Sequence, residues 1–401
     1  MTRQSPGSDT SPGPVVYAIG PAVHPGQGPV TGQKMMFQLS VNRLRERGWR
    51  VKLLDIRDRR RSSAKRTKGS PILSRALDYL RIIPWVWVSG WFGSRGTVYL
   101  TTAQSLVGFL RDALILWPLS LRRHRIVCHQ FGGNYIGFFE RQSRIVQAWI
   151  RWTLARADAI VVEGPLVQKQ FAFLPDVSHK VRPIPNTVSE QSLELPEQPK
   201  SLDPNEPIEL LYLSNLFESK GYWDVLRATE ILIERGRQVR CQFGGEFMVA
   251  SDSTLFRDPD QARQAFLDYL EARPRLAAAV RYDGPLVGEQ KADAFRRAHV
   301  FLLPTNYIVE GLPVSILEAM ATGCVTIATR HRGIPFMVEE GETGLFVDYK
   351  DPQGIADCIE RLMDRPQEYR RMSRRSLERF KERFSADSYI RQLEQVLAFD
   401  G

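Results

Sequence analysis

The sequence predicts an α/β protein made of two doubly wound, Rossmann-like parallel-sheet domains facing each other across a cleft. Three observations carry this. Apolar strand-like segments alternate with helical ones along the chain, the pattern of a parallel sheet covered on both faces. The alternation stops over residues 184–207, a stretch rich in Pro, Ser and Glu and poor in apolar periodicity, and then restarts. The length of 401 residues suits two domains.

In order, PVVYAIG (14–20) reads as a first buried strand, followed by a Gly/Pro-rich loop, PAVHPGQGPVTGQ (21–33). A helix is expected over 33–47 and a second strand over 49–56. Residues 57–70, RDRRRSSAKRTKGS, form a basic loop, and 71–92 contain the aromatic run LRIIPWVWVSGWFG. Strand 97–102, helix 107–119, strand 125–130, helix 139–156 and strand 157–164 complete the first half. The second half reads as strand 208–215, helix 221–236, strand 238–246, helix 259–273, strand 280–284, helix 289–298, strand 299–305, helix 313–322, strands 324–329 and 344–348, and helix 352–364. The amphipathic segment 385–399 follows an already complete domain, so it is expected to pack back on the first. The boundaries are a disordered tail at 1–14, a first domain at 15–190 joined by the terminal helix 385–401, a linker at 191–207 and a second domain at 208–384.

The first fourteen residues lack the apolar core of a signal sequence, and no run of about 18 apolar residues could span a bilayer. The cysteines, Cys128, Cys241, Cys324 and Cys358, form no C-x-x-C pair and read as buried thiols of a cytoplasmic protein. Cys128 precedes His129, but neighbours on a strand face opposite ways, which argues against a Cys–His nucleophile. Charge is split: residues 1–190 carry 28 basic and 11 acidic side chains, the remainder 27 and 34. The halves are therefore expected to meet different partners, the basic one an anionic surface.

In such folds ligands bind at the carboxyl ends of strands, where helix N-termini aim N–H groups at them. The stretch EGLPVSILEAMATG (310–323) has this form. Pro313 opens the helix, Gly311 permits close approach, and the N–H groups of Gly311, Leu312 and Val314 make an anion seat. Glu310, just before it, could accept bonds from sugar hydroxyls. Glu318 borders the polar arc beside Ser315 and Thr322, so periodicity alone makes it a solvated glutamate.

EGLPVSILEAMATGCVTIAT followed by GETGLFVDYKDP resembles the donor-binding signature of the retaining group 1 (family four) glycosyltransferases of GT-B fold, which has E-x7-E here. SNLFESKG (214–221) stands in place of that family's G-R-L-x-x-x-K-G. CQFGGE (241–246) is similar to its Gly-containing strand end, with Gly244, and PNTVS (185–189) to its entry to the linker. The Gly-rich loop and HQFGGNY (129–135) match more loosely. The resemblance implies that Glu310 contacts the donor sugar, Glu318 the ribose, and Lys220 the diphosphate, whose charge grows as the glycosidic bond breaks. It places His129 in the cleft against the sugar and closes the loop holding Gly28 and Gly32 over the diphosphate. The chain departs from the pattern at Asn215, where arginine is usual, at Phe336, where glutamate is usual, and at Phe131, where many members carry a second histidine. Without the motif, Lys220 reads equally as a solvated lysine and His129 as a hydrogen-bonded structural one.

The expected activity is transfer of a hexose from a nucleotide-diphosphate sugar to a hydroxyl of a glycan or lipid-linked acceptor, as in bacterial polysaccharide assembly. No cofactor and no metal are expected, since no Asp/Glu-rich motif stands out. The expected location is cytoplasmic or peripheral on the inner face of a membrane. Trp85, Trp87, Trp91 and Trp117, with flanking arginines and the loop residues Arg59, Arg60, Arg61, Lys65 and Arg66, suit an anionic lipid surface, although a normal core with a basic rim has the same composition. No RNA- or DNA-binding motif is present, and no nucleic-acid partner is expected. Two other readings stand beside this one: a non-catalytic basic binding module, which gives Glu310, Glu318 and Lys220 no task, and a nicotinamide enzyme, which needs a G-x-G-x-x-G that the first loop lacks.

Overall fold

The computed structural model describes residues 13–23, 32–56, 83–84, 86–88, 93–175, 177–188, 193, 195–250, 253–308 and 310–398. Most of the expected N-terminal tail, Gly28, the basic loop at 57–70, and Trp85 and Trp91 lie outside the described residues.

Two six-stranded sheets organise the chain, and every strand pair is parallel. The first is built from β1 (Val15–Gly20), β2 (Arg50–Asp55), β3 (Thr97–Thr101), β4 (Arg125–Gln130), β5 (Ala159–Val162) and β6 (Val181–Pro183), in the order β2-β1-β3-β4-β5-β6. The second comprises β7 (Ile208–Leu213), β8 (Val239–Gly244), β9 (Val280–Tyr282), β10 (Val300–Leu303), β11 (Val325–Thr329) and β12 (Gly344–Val347), in the order β12-β11-β10-β7-β8-β9. In the second sheet the order in which strands are added reverses between β7 and β10, so the loops leaving these two parallel strands flank the crevice where ligands bind in doubly wound sheets.

The strands are apolar runs because both faces are covered. One face of the first sheet packs under the Leu106–Leu121 and Arg144–Leu154 helices. The other packs under the Gly32–Glu46 helix and the C-terminal Ala386–Leu397 helix, through Phe37, Val41, Tyr389, Ile390, Leu393 and Leu397. That last helix is bonded to the first sheet: Thr97 Oγ1 donates to the Leu397 carbonyl at 2.7 Å and Arg125 Nε to the Val396 carbonyl at 2.9 Å. Cys128 lies in the first of these layers and His129 against Tyr99 in the second, as strand alternation requires. Burial pushes the Cys128 thiol far up, so it stays protonated.

Some expectations change. The single helix over 139–156 is two, Tyr135–Glu140 and Arg144–Leu154; Ser143 caps the second, its Oγ accepting the Val146 N–H at 3.5 Å. β6 and the helices Pro274–Ala279 and Pro366–Arg379 are additional. Each of these two helices starts at a proline, where a helix interior is excluded but a first turn is favoured.

Candidate functional site

The loop after β7 and the loop after β10 meet at the reversal point of the second sheet. After β7 the chain makes a short turn, Glu218–Lys220, and passes through Gly221 into the Tyr222–Glu234 helix. Gly221 has φ 76°, and a Cβ there would stand 2.4 Å from the Pro304 carbonyl oxygen, so only glycine lets the two loops touch. The Asn306 N–H donates to the Ser219 carbonyl at 2.7 Å, and Phe217 stacks on Tyr307 at 5.0 Å.

This contact brings Lys220 to Glu310. Lys220 Nζ lies 3.2 Å from Glu310 Oε2, with the two side chains 14% and 10% exposed, and it donates to Ser214 Oγ at 3.0 Å. The ammonium also sits 5.2 Å from the centre of the Tyr307 ring. Although near the ammonium, Glu310 Oε2 is buried without a well-aligned hydrogen bond. A buried oxygen in that condition is a ready acceptor for an incoming donor group.

Glu318 departs from its periodicity. It is 4% exposed rather than solvated, and Lys291 of the Gly288–Arg297 helix is hydrogen-bonded to its Oε1. Burial raises the Glu318 pKa and Lys291 opposes the rise. Lys291 is a member of this cluster that sequence reasoning missed. It lies on a different helix, and nothing in the Glu318 helix marks its partner.

The two domains touch around the same loop. Glu163, directly after β5, is fully buried; its Oε2 accepts the Leu312 N–H at 3.3 Å and its Oε1 accepts Asn186 Nδ2 at 3.0 Å. Asn186 Nδ2 also lies 3.4 Å from the Leu312 carbonyl. Gly311 is needed here: a Cβ on it would stand 2.0 Å from Glu163 Oε2. Gly133 likewise faces the Glu310 carbonyl, where a Cβ would come within 2.7 Å. Arg332 Nη1 donates to the Gly133 carbonyl at 3.4 Å. Glu163 was not singled out from sequence, since only the fold brings the end of β5 to this loop.

His129 is 0% exposed, which differs from the cleft-facing position expected of it. It shares a sheet face with Val127 and Phe131, under the covering helices. Its ring stacks on Phe131 at 4.0 Å, its Nδ1 is 2.7 Å from the Tyr99 hydroxyl, and its Nε2 has no partner. Burial lowers its pKa to about 3, so the imidazole is neutral.

Of the other expected positions, Gly32 opens the first helix 3.7 Å from Val314, measured from the Cβ it lacks, which brings the start of that helix to the Val314–Ala321 helix. Gly244 ends β8 against Leu286. Asn215 is exposed beside the Lys220 turn. Among the described residues, no three His, Cys, Asp or Glu side chains gather as a metal site.

Residues 195–379 match the family model "Glycosyl transferases group 1". A D-inositol 3-phosphate glycosyltransferase from Streptomyces griseus is 29% identical over 148 residues, covering 37% of this chain and 30% of that protein. Mannosylfructose-phosphate synthase from Agrobacterium fabrum is 26% identical over 189 residues, 46% of this chain and 39% of that one. The matched region thus spans about a third of the length of these curated relatives. Solved structures align across almost the whole chain. Anabaena Alr3699/HepE in complex with UDP-glucose has a TM-score of 0.66 at 15% identity, covering 94% of this chain and 98% of its own. Sucrose-phosphate synthase from Thermosynechococcus elongatus has a TM-score of 0.65 at 17% identity, covering 95% and 98%. With two parallel sheets, a lysine–glutamate pair at the reversal point of the second, and the family pattern over residues 195–379, the chain has the GT-B fold and its second half is similar to the group 1 glycosyltransferases.

Proposed function

We propose that the protein transfers a hexose from a nucleoside diphosphate sugar to a hydroxyl of a glycan or lipid-linked acceptor, with retention at the anomeric carbon and without a divalent cation. The observation that carries this is the Lys220–Glu310 pair where the loops after β7 and β10 meet, with Glu318 on the helix that follows. Lys220 supplies a compact positive charge for a leaving diphosphate, Glu310 an acceptor for sugar hydroxyls, and Glu318 an acceptor for a ribose. Co-structures of HepE with UDP and with UDP-glucose support the donor class.

A lipid-linked acceptor is supported by the first domain's surface. Leu114, Trp117 and Leu121 on one helix and Ile145, Trp149 and Trp152 on the next are all exposed. Phe109 and Trp149 make an edge contact between the two helices. Arg122, Arg123, Arg141, Arg144 and Arg151 lie in or beside these helices in the sequence. Aromatic side chains rimmed by arginine suit the interface of an anionic membrane, and no described helix is long and apolar enough to cross one. A role in polysaccharide synthesis is supported by WcaL of Salmonella typhimurium, provisionally named for colanic acid biosynthesis and 32% identical over 157 residues.

The test is a thermal-shift screen with UDP, GDP and ADP sugars, followed by turnover with the sugar that binds. Lys220→Ala and Glu310→Ala should each cost on the order of 2–4 kcal/mol of transition-state stabilisation, and turnover should survive EDTA. Wild-type turnover in both variants would remove the assignment; loss on chelation with rescue by Mn²⁺ would show a metal-dependent reaction.

A further inference from the structure

Two acidic side chains, Glu163 and Glu310, meet at the loop ahead of the Val314–Ala321 helix, and a third, Glu318, lies within that helix; their partners differ. Glu310 faces Lys220 and Glu318 faces Lys291. The hydrogen bonds to Glu163 come from neutral donors: the Asn186 amide, the Leu312 N–H and the Gly132 N–H. A buried carboxylate held by neutral dipoles and facing another carboxylate is weakly stabilised in its charged form. Burial and the neighbouring Glu310 both push its pKa up. Its Oε2 sits against Gly311, so closely that a Cβ there would be 2.0 Å away, and it takes the Leu312 N–H. These are the backbone groups of the anion seat in front of the helix.

We infer that Glu163 is a resident anion of the donor cleft, a carboxylate of the first domain that occupies the Leu312 N–H seat of the second and is displaced when the donor enters. The inference rests on the proposed donor site and adds a competitor to it. Two features support displacement over a fixed support. The seat lies at the boundary between the domains, so moving one domain against the other withdraws the carboxylate without breaking a strand or helix. Glu310 Oε2, next to it, is buried and lacks an aligned hydrogen bond, so the cluster is not saturated by Glu163. A donor carrying two phosphates replaces one weak acceptor with several stronger ones. Its apparent affinity is reduced by the fraction of molecules in which Glu163 holds the seat.

The experiment measures nucleotide affinity of the full chain by calorimetry, using whichever of UDP, GDP or ADP the wild type binds. Glu163→Gln removes the charge at constant shape and sets an amide N–H₂ against one of its present donors. Glu163→Ala empties the position. Both variants should bind the nucleotide about tenfold more tightly than wild type, equivalent to about 1.4 kcal/mol. Both should also melt at a lower temperature without nucleotide and regain more on adding it. Affinity within twofold of wild type would overturn the inference and show a purely structural clasp. Weaker binding, or unchanged binding with transfer lost, would overturn it in favour of a group that serves the bound donor. If neither wild type nor variant binds any of the three nucleotides, the proposed function falls and this inference with it. That result is distinct from the others, in which the wild type binds.

Discussion

Lys220 and Glu310 can be tested as a pair by a double-mutant cycle on stability. At 3.2 Å and an effective dielectric of about 20, their gross attraction is about 5 kcal/mol. Much of that offsets the desolvation of two nearly buried groups, so the net coupling should be about 2 kcal/mol. Lys220→Ala leaves the Glu310 carboxylate buried beside no ammonium and should cost about 3 kcal/mol. Glu310→Gln leaves the lysine with Ser214 and the Tyr307 ring and should cost about 1 kcal/mol. The double variant should then cost about 2 kcal/mol instead of the additive sum of about 4 kcal/mol. Urea denaturation of the four proteins at pH 7 and low salt gives the cycle, and slopes should be equal so that midpoints report stability. Additivity within about 0.5 kcal/mol would refute the reasoning, because it would mean that the two charges do not sense each other.

Lys291→Met should destabilise the protein by about 3 kcal/mol by stranding the buried Glu318, and Lys291→Met/Glu318→Leu should recover most of the loss; a denaturation series checks both. Burial, with Lys200 nearby, lowers the His299 pKa to about 4, and burial alone lowers His129 to about 3. An unfolded imidazole titrates near 6.5, so below that pH the unfolded chain binds more protons than the folded one. Stability should therefore fall as pH drops from about 6.5 towards 4. His299→Asn, which keeps an acceptor for the Glu209 N–H, should flatten part of the fall, whereas a melting temperature unchanged between pH 7 and 5 would contradict this. Leu393→Ala on the C-terminal helix should cost about 2–5 kcal/mol as a core cavity. Serine at Trp117, Trp149 and Trp152 should reduce flotation with anionic vesicles while leaving nucleotide affinity unchanged; equal flotation would mean that these side chains do not meet lipid.

The two-sheet architecture was legible because strand and helix periods alternate and because a stretch without period separates two runs of that alternation. The loop ahead of the Val314–Ala321 helix was legible because Gly311, Pro313 and the flanking glutamates are local signals on one segment. The groups that complete the site were not legible. Lys291 reaches Glu318 across 27 positions, and Glu163 reaches Leu312 across 149. Neither pairing leaves a periodic trace, since each is made by the folding of one element against another. Periodicity placed Glu318 in solvent because it reports only a helix's own arc, while the covering came from a neighbouring helix. The resemblance placed His129 in the cleft, whereas the helices that cover its face of the sheet bury it. The break between Glu140 and Arg144 had a local signal in the capping Ser143, outweighed by the apolar residues on either side.

The C-terminal helix sets how the cleft can move. The chain leaves the first domain after β6 and comes back through the π-helical segment Phe380–Phe384 into the Ala386–Leu397 helix, so two separate stretches of backbone cross between the halves. Two crossing points define an axis. Swinging about that line needs only torsional adjustment where the chain crosses, whereas twisting across it or sliding along it strains both crossings at once. The protein therefore behaves less like two beads on a tether than like a door hung on a pair of pins. Any opening should then follow one principal rotation, widest at the edge far from the pins, and shortening either crossing should stiffen it without touching a residue in the crevice.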